Sequence, residues 1–425
     1  MKIFTTGQVR RIDAYTIEKE PIASIDLMER ASRQIASWLS SVFDSGTPFA
    51  FIVGPGNNGG DGLASARMLA EMNYLVRVYL VRISSRLSPD ASTNLERLRA
   101  SGKGTIVEVE EAEGLEQLRS TAVNHPGMVL VDALFGSGLS RPLTGLPGET
   151  VACLNELPNL KVAIDVPSGL FGEDNRGNDP DAILRAGYTL TLQAPSLSFF
   201  FSENQEYTGY WDVLPIGLHP DILQKEDTPY RCLTGEYLST LLKPRKKFDH
   251  KGSYGHALLI AGCYGMMGAA VLASRSCLRS GVGLVTSHVP RFGYQILQSS
   301  VPESLISIDQ SDIIFSAPPD LSPFAAIGVG PGLGCKPNSG KALHQLIRSA
   351  RVPLVIDADA LNLISAHPDW IKDLPERTIL TPHPREFDRL TDSFSPDRTG
   401  LAQEGNPKGD GYAAIGYLRH LRQIE

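Results

Sequence analysis

The sequence predicts two α/β domains, each a mostly parallel sheet with helices on both faces. Three observations carry that prediction. Short apolar runs alternate with amphipathic stretches in two separate parts of the chain. Glycine-rich and polar loops follow those runs, at the edge where open α/β sheets take their ligands. The 425 residues are too many for one typical core.

In chain order, residues 6–42 read as two helices. Thr6 is a candidate cap for the first, with Val9, Ile12, Tyr15 and Ile17 on one side. Ser24 is a candidate cap for the second, with Ile25, Met28, Ala31 and Ile35 at helical spacing. Strands are predicted over 49–53, 75–81, 128–133, 161–166 and 188–192, and helices over 63–72 and 94–101. After Trp211 the rhythm loosens, and 214–231, polar and proline-containing, reads as a linker. The basic run KPRKKFDHK (243–251) is either a solvated entry to the next domain or an edge that faces phosphate. A second pattern begins at His256, with strands over 257–261, 284–288, 325–329, 354–357 and 378–380 and a helix over 269–279. Past Pro396 the text turns Gly-rich and charged and ends in a short helix over 412–422. The resulting division is a first domain over 1–220, a linker over 221–242 and a second domain over 243–425.

Bulk composition removes several function classes. Charged residues make up 20% and hydrophobic residues 42%, which is globular rather than disordered. A net charge of −7 argues against a sequence-independent nucleic-acid binder. Five widely spaced cysteines without a CxxC pair argue against a disulfide framework or a cysteine zinc site, and read as buried, inert thiols. The N-terminus has no continuous apolar stretch of the signal-peptide kind, and the apolar region over 257–289 is broken by Gly, Arg, Ser and His. The expectation is a soluble protein of the cytoplasm without membrane partners.

Three loops of the first half carry chemistry. Gly54-Pro-Gly-Asn-Asn-Gly-Gly-Asp61-Gly62 precedes a helix, so bare backbone N–H groups and a helix N-terminus can face an anion. Its spacing is neither that of the dinucleotide fingerprint nor that of a Walker A loop. In the second, Asp132 ends a strand and is followed by Gly136-Ser-Gly138 and Arg141. Arg141 can serve as a bidentate donor to phosphate or carboxylate, or it can simply pair with Asp132 to organise the loop. In the third, Asp165 ends a strand and Ser168 follows, a pattern that also suits an aspartate capping its own turn. If they converge, Asn58, Asp132 and Ser168 suit a hard cation, and a neighbouring carboxylate can act as acid or base.

NNGGDGL (57–63), DALFGSGL (132–139) and DVPSGL (165–170), in that order and at those separations, resemble the NAD(P)HX epimerases, as do the N-terminal helices with IASIDLMERAS (22–32). The resemblance covers about residues 1–220. It implies a Rossmann-like α/β/α sandwich that binds potassium and interconverts the R and S forms of hydrated NADH or NADPH at the hydrated carbon. It also implies that Asn57, Asn58, Gly59, Gly60 and Asp61, with Gly136, Ser137, Gly138, Leu139, Ser140, Arg141 and Pro142, line the dinucleotide. Asn58, Asp132 and Ser168 would hold potassium. Asp165 would contact the damaged nicotinamide as the catalytic acid/base group. A homo-oligomer, at least a dimer, is expected.

In the second half, KGSYG (251–255), GPGLG (330–334), DADALN (357–362) and TPHPREF (381–387) resemble the NAD(P)HX dehydratases, over about residues 230–392. That resemblance implies a ribokinase-like α/β domain that uses ADP to drive loss of the added hydroxyl, with Ala269, Gly332 and His383 facing the hydrated nucleotide. It departs after the histidine motif. The family's Gly-Ser-Gly-Asp phosphate loop has no match, and Asn406-Pro-Lys408-Gly409-Asp410-Gly411 is the nearest text. A frameshift or truncated reading of the gene is expected, leaving the domain incomplete, ADP binding weak, dehydratase turnover low and the sheet edge less stable. Two other readings stay open: a nucleotide-binding module without turnover, and a small-molecule kinase in the second half.

Overall fold

The computed structural model describes residues 1–84, 86–242 and 244–394. The chain divides into two units between Leu242 and Lys243. The first contains seven strands: β1 (Phe49–Val53), β2 (Val76–Val81), β3 (Thr105–Val109), β4 (Val129–Ala133), β5 (Lys161–Ile164), β6 (Tyr188–Leu192) and β7 (Tyr210–Leu214). They form one sheet in the order β3-β2-β1-β4-β5-β6-β7, and every pairing is parallel.

Strand β1 shows why the sheet is covered on both faces. Phe49, Phe51 and Val53 pack into one apolar cluster with Ile35, Leu39, Leu63 and Leu69, while Ala50 and Ile52 enter another with Leu118, Val151 and Leu154. Alternate side chains of one strand thus fill two separate cores, so the run reads as continuously apolar. Helices Ser24–Val42, Asn57–Glu71 and Pro89–Ser101 supply the first cover, and Ala112–Asn124 and Leu146–Glu156 the second.

The predicted α/β class holds in both units. The strands that the sequence missed, β3 and β7, are the two edges of this sheet. Their burial is intermittent, so they lack the apolar run that announces an inner strand. The helix predicted from residue 63 begins at Asn57, which makes the glycine-asparagine loop the first turns of the helix. Thr5, not Thr6, caps the opening helix Thr6–Lys19, through a reciprocal box with Gln8.

The segment read as a linker is structured where it leaves β7. Ile216 and Leu218 are buried against Phe4, Ile12, Leu27 and Ala31, and Ile222 and Leu223 pack on the same cluster. Thr228 Oγ1 donates to the Ile3 carbonyl at 2.7 Å, and the Ile3 N–H donates to the Tyr230 carbonyl at 3.1 Å. Apolar residues in an otherwise polar stretch close the open side of the two N-terminal helices.

The second unit contains β8 (His256–Ile260), β9 (Leu284–Val289), β10 (Leu305–Ile308), β11 (Ala326–Val329), β12 (Leu354–Ile356) and β13 (Ile379–Leu380), all parallel, in the order β10-β9-β8-β11-β12-β13. The missed strand, β10, is again an edge. Among the cysteines, Cys153 and Cys263 are buried as expected, whereas Cys335 is exposed, because it follows the glycine turn after β11 at the rim. No disulfide joins the described cysteines. The helix expected over 412–422 and the Asn406 to Gly411 segment lie outside the described residues.

Phe51 is fully buried in the middle of β1. Phe51→Ala is expected to lower the unfolding free energy of the first unit by about 3–5 kcal/mol, measured by urea denaturation. Tyr210→Ala, at a side chain on an edge strand that is 80% exposed, is expected to change it by less than about 0.5 kcal/mol.

Candidate active site

The strand order brings the three motif loops together. β1, β4 and β5 are neighbours in the sheet, so the segments after Val53, Asp132 and Ile164 leave it side by side at its carboxyl edge. Connections run outward in both directions from β1 and β4, and the crevice between them is where such sheets bind ligands.

The second and third loops are tied by one interaction. Ser168 donates from its hydroxyl to Asp132 Oδ1 at 2.6 Å and from its backbone N–H to Oδ2 at 2.8 Å. The Leu134 N–H adds a bond to Oδ1 at 3.1 Å, and the Ser168 hydroxyl in turn accepts the Phe135 N–H at 2.8 Å. Asp132 is 1% exposed; burial pushes its carboxyl up to about 6, against the Ser168 and Leu134 bonds that hold it down. Arg141 is exposed at the rim and does not pair with Asp132, so the ion-pair alternative is not realised.

Asp165 follows β5 in a left-handed conformation, φ 67°, which L side chains seldom adopt. Its backbone N–H donates to the Leu190 carbonyl at 2.8 Å, and its Oδ2 accepts the Ser137 N–H at 2.7 Å. The aspartate therefore reaches across to the neighbouring loop rather than capping its own turn. Burial raises its pKa, and the Ser137 N–H partly opposes that. Gly136 has to be glycine here: a Cβ would lie 2.5 Å from Asp165 Oδ2 and 3.3 Å from Asn58 Cγ. Gly59 is required for a similar reason, since its Cβ would meet the Gly54 carbonyl oxygen at 1.9 Å.

Asn58 carries the most telling feature. Both its Oδ1 and its Nδ2 are buried without a hydrogen-bond partner. An unsatisfied buried amide is unfavourable by roughly 1–3 kcal/mol, so such groups normally mark a missing ligand or water. With a free amide oxygen near Asp165 and the Gly136 turn, and the Asp132–Ser168 pair on the adjacent loop, the donors are the oxygens that a hard cation accepts. Among the described residues, no group of three or more His, Cys, Asp or Glu side chains could hold a metal ion, so a thiolate or imidazole site is not what this edge offers.

Two further carboxylates feel the charge of Asp165, and one was not legible in the sequence. Asp61, the fifth residue of helix Asn57–Glu71, is buried, and Ser32 Oγ donates to its Oδ1 at 3.5 Å. Its pKa is raised well above the usual carboxylate range by burial, then by Asp165 and Asp13. Asp13 lies on helix Thr6–Lys19, and its carboxyl is pushed up to about 6 by burial and by the Asp165 charge. That helix is docked on the second loop: Thr6 Oγ1 donates to the Ser137 carbonyl at 3.1 Å, and a Cβ on Gly138 would meet Arg10 Nη2 at 3.1 Å. Thr6, Arg10 and Asp13 follow the i, i+4, i+7 spacing of one helical face. A polar stripe at that spacing, beside the inward-facing Val9–Ile12–Thr16 side, was the available signal.

Of the other expected residues, Asn57, Gly138, Ser140, Arg141 and Pro142 are exposed at the rim, Ser137 lines the turn, Gly59 and Gly60 are buried, and Leu139 packs against the second core. In the second unit, Gly332 (φ 65°) is close to Ala269: a Cβ on Gly332 would sit 3.0 Å from the Ala269 Cβ. His383 follows β13, two strands along from β11. Its ring Nε2 lies 3.2 Å from Glu386 Oε1, and its Nδ1 accepts the Arg385 N–H at 3.2 Å.

A family model described as YjeF-related protein N-terminus matches residues 24–198, and one described as NAD(P)H-hydrate dehydratase matches residues 257–408. The second match runs on past residue 392. The chain is similar to a protein named bifunctional NAD(P)H-hydrate repair enzyme Nnr from Thermofilum pendens, 33% identical over 92% of this chain and 74% of that relative. A protein of the same name from Moorella thermoacetica is 31% identical over 92% of this chain and 75% of its own length. Among solved structures, an ADP/ATP-dependent NAD(P)H-hydrate dehydratase from Bacillus subtilis is 29% identical over 40% of this chain and 61% of that one, with a TM-score of 0.30.

The carboxylate cluster has a consequence for stability. Asp13 is raised from 3.8 to about 6 in the folded state, so the folded protein binds a proton more tightly than the unfolded chain. Its favourable contribution is complete below about pH 4 and is lost as the pH rises through about 6; Asp61 acts in the same direction. Denaturation of the first unit between pH 4 and 8 is expected to show stability falling over that range. Asp13→Asn should recover roughly 2 kcal/mol at pH 7, since two units of proton affinity are worth about 3 kcal/mol and water still reaches this group.

Proposed function

The chain belongs to the bifunctional NAD(P)H-hydrate repair enzymes, and from that premise we propose that its first domain interconverts R and S NADHX or NADPHX, with Asp165 as the acid/base group. Inversion by loss and return of the added water needs a carboxylic acid that protonates the leaving hydroxyl and, once ionised, accepts a proton from water. Asp165 suits that work because its raised pKa places the proton exchange closer to neutrality. The single observation that carries the reading is its position: a strained residue at the carboxyl edge, anchored to the Ser137 N–H and next to the unpartnered amide of Asn58. The helix start at Asn57–Asp61 and the Gly136–Pro142 turn would take the dinucleotide, with exposed Arg141 available to phosphate.

Asn58, Asp132 and Ser168 would hold potassium. When bound, that ion supplies positive charge at an edge crowded with carboxylates. The orphaned amide oxygen of Asn58 supports this assignment. The second domain is of the ADP-dependent NAD(P)HX dehydratase type, and Ala269, Gly332 and His383 are proposed to face its nucleotide. The active form is proposed to be a cytoplasmic homo-oligomer. No described helix is long and apolar enough to cross a membrane.

Conversion of R to S NADHX, followed by chromatography, is expected to fall by about 10²–10⁴-fold in Asp165→Ala. An unchanged rate removes Asp165 from its role. Potassium is expected to raise the melting temperature of the first unit relative to choline at equal ionic strength, and Asn58→Ala should abolish the difference. A polypeptide of these 425 residues, which contain no Gly-Ser-Gly-Asp segment, is expected to dehydrate S NADHX with ADP slowly or not at all. Rapid dehydration in that assay would show that the missing loop is dispensable.

A further inference from the structure

We propose that Asp13 is the second acid–base group of the epimerase site and serves the face of the ring that Asp165 does not; this rests on the epimerase reading above. Inversion poses a problem that one anchored carboxyl does not solve. The hydroxyl leaves from one face, and water must return on the other. Asp165 is held by its strained backbone and by the Ser137 N–H on Oδ2, so it is fixed toward one side. A second proton carrier has to approach from a different element.

The other buried carboxylates are committed elsewhere. Asp132 is tied to Ser168 and Leu134 on the adjacent loop, and Asp61 is buried against Ser32. Asp13 differs from both. Its carboxyl has no hydrogen-bond or ion-pair partner among the described residues, and water still reaches it. It stands on the helix that Thr6 and Arg10 dock on the Ser137–Gly138 turn, the turn whose Ser137 N–H holds Asp165. The charged groups around it are Arg10 on its own helix, Asp165 after β5 and Asp61 on helix Asn57–Glu71, which in turn feels Asp90 on helix Pro89–Ser101. Acids outnumber bases here, which favours a proton held among the facing carboxyls.

The step balances without an oxidant. One carboxyl gives its proton to the hydroxyl, and the C–O bond breaks with its electron pair leaving on water. The lone pair of the adjacent ring nitrogen fills the vacancy on carbon. Water then attacks from the opposite face, the nitrogen recovers its pair, and the second carboxyl takes the proton. The return reaction exchanges the two roles.

The test uses R NADHX in ¹⁸O-labelled water with the full chain, each rate measured above the uncatalysed background. In the wild type, inversion and label uptake should run together. In Asp13→Asn, Asp165 can still release and return water on its own face. Inversion should then fall by about 100-fold or more while label uptake with retained configuration falls by less than about 10-fold. Asp13→Glu should recover part of the inversion, and a melting temperature of Asp13→Asn at or above that of the wild type keeps the comparison one of chemistry. An unchanged ratio of inversion to uptake, whether both rates drop or neither does, overturns the role of Asp13 and leaves the epimerase reading standing. Absence of inversion in the wild type overturns both.

Discussion

The bond pair between Asp132 and Ser168 is the constraint on which the first domain's site depends. It joins the loop after β4 to the loop after β5, segments separated by 36 residues in the chain. A buried carboxylate with no partner would be strongly destabilising. Here both its oxygens are engaged, and the Ser168 hydroxyl passes the tie on to the Phe135 N–H. Phe135 directly precedes Gly136, so the pair sets the height of the turn whose Ser137 N–H grips Asp165. Without that fixed height, the strained Asp165 would keep only its backbone bond to the Leu190 carbonyl, and its carboxyl would lose its anchor.

Around this fixed frame the protein keeps charges that destabilise it. Burial raises the proton affinity of Asp13, Asp61 and Asp165, and the Asp165 charge adds to the effect at Asp13 and Asp61. A site selected only for stability would place an arginine or an amide among them. The arrangement makes sense where a ligand with cationic or proton-donating character completes it. The unpartnered amide of Asn58 points the same way: it too is unfavourable in the free protein and favourable once something binds.

How much of this could be read beforehand follows from the physics of each part. Inner parallel strands are buried on both faces, so 49–53 announced itself as an unbroken apolar run, while edge strands β3, β7 and β10 did not. The residues Asp132, Asp165 and Ser168 were legible because polar groups directly after apolar strands need a reason to be there. Asp13 was not. It lies on an amphipathic helix, where a polar residue at helical spacing is normally solvated, and only the docking of Thr6 and Arg10 on a loop about 130 residues away turns that face inward. The helix start at Asn57 was hidden for a related reason. Glycines there permit contact with Gly54 and Ala133 rather than a loop, and propensity alone ranks them as helix breakers.

The second domain shows the same logic at its own sheet edge. Gly332, in a left-handed turn, lies against Ala269, so two glycine-rich segments after β8 and β11 press together at adjacent strand ends. That contact leaves no room for a side chain at Gly332, and the N–H groups of Gly330, Leu333 and Gly334 donate within the protein, to the Ile260 and Gly330 carbonyls and to Asp359 Oδ2. His383 is different: Glu386 and the Arg385 N–H fix its ring, and its side chain is 55% exposed. The imidazole is thus engaged at both nitrogens yet open to solvent at the rim. The close Gly332–Ala269 approach and the open imidazole of His383 thus mark two separate places along the carboxyl edge of one sheet, the first between β8 and β11 and the second after β13.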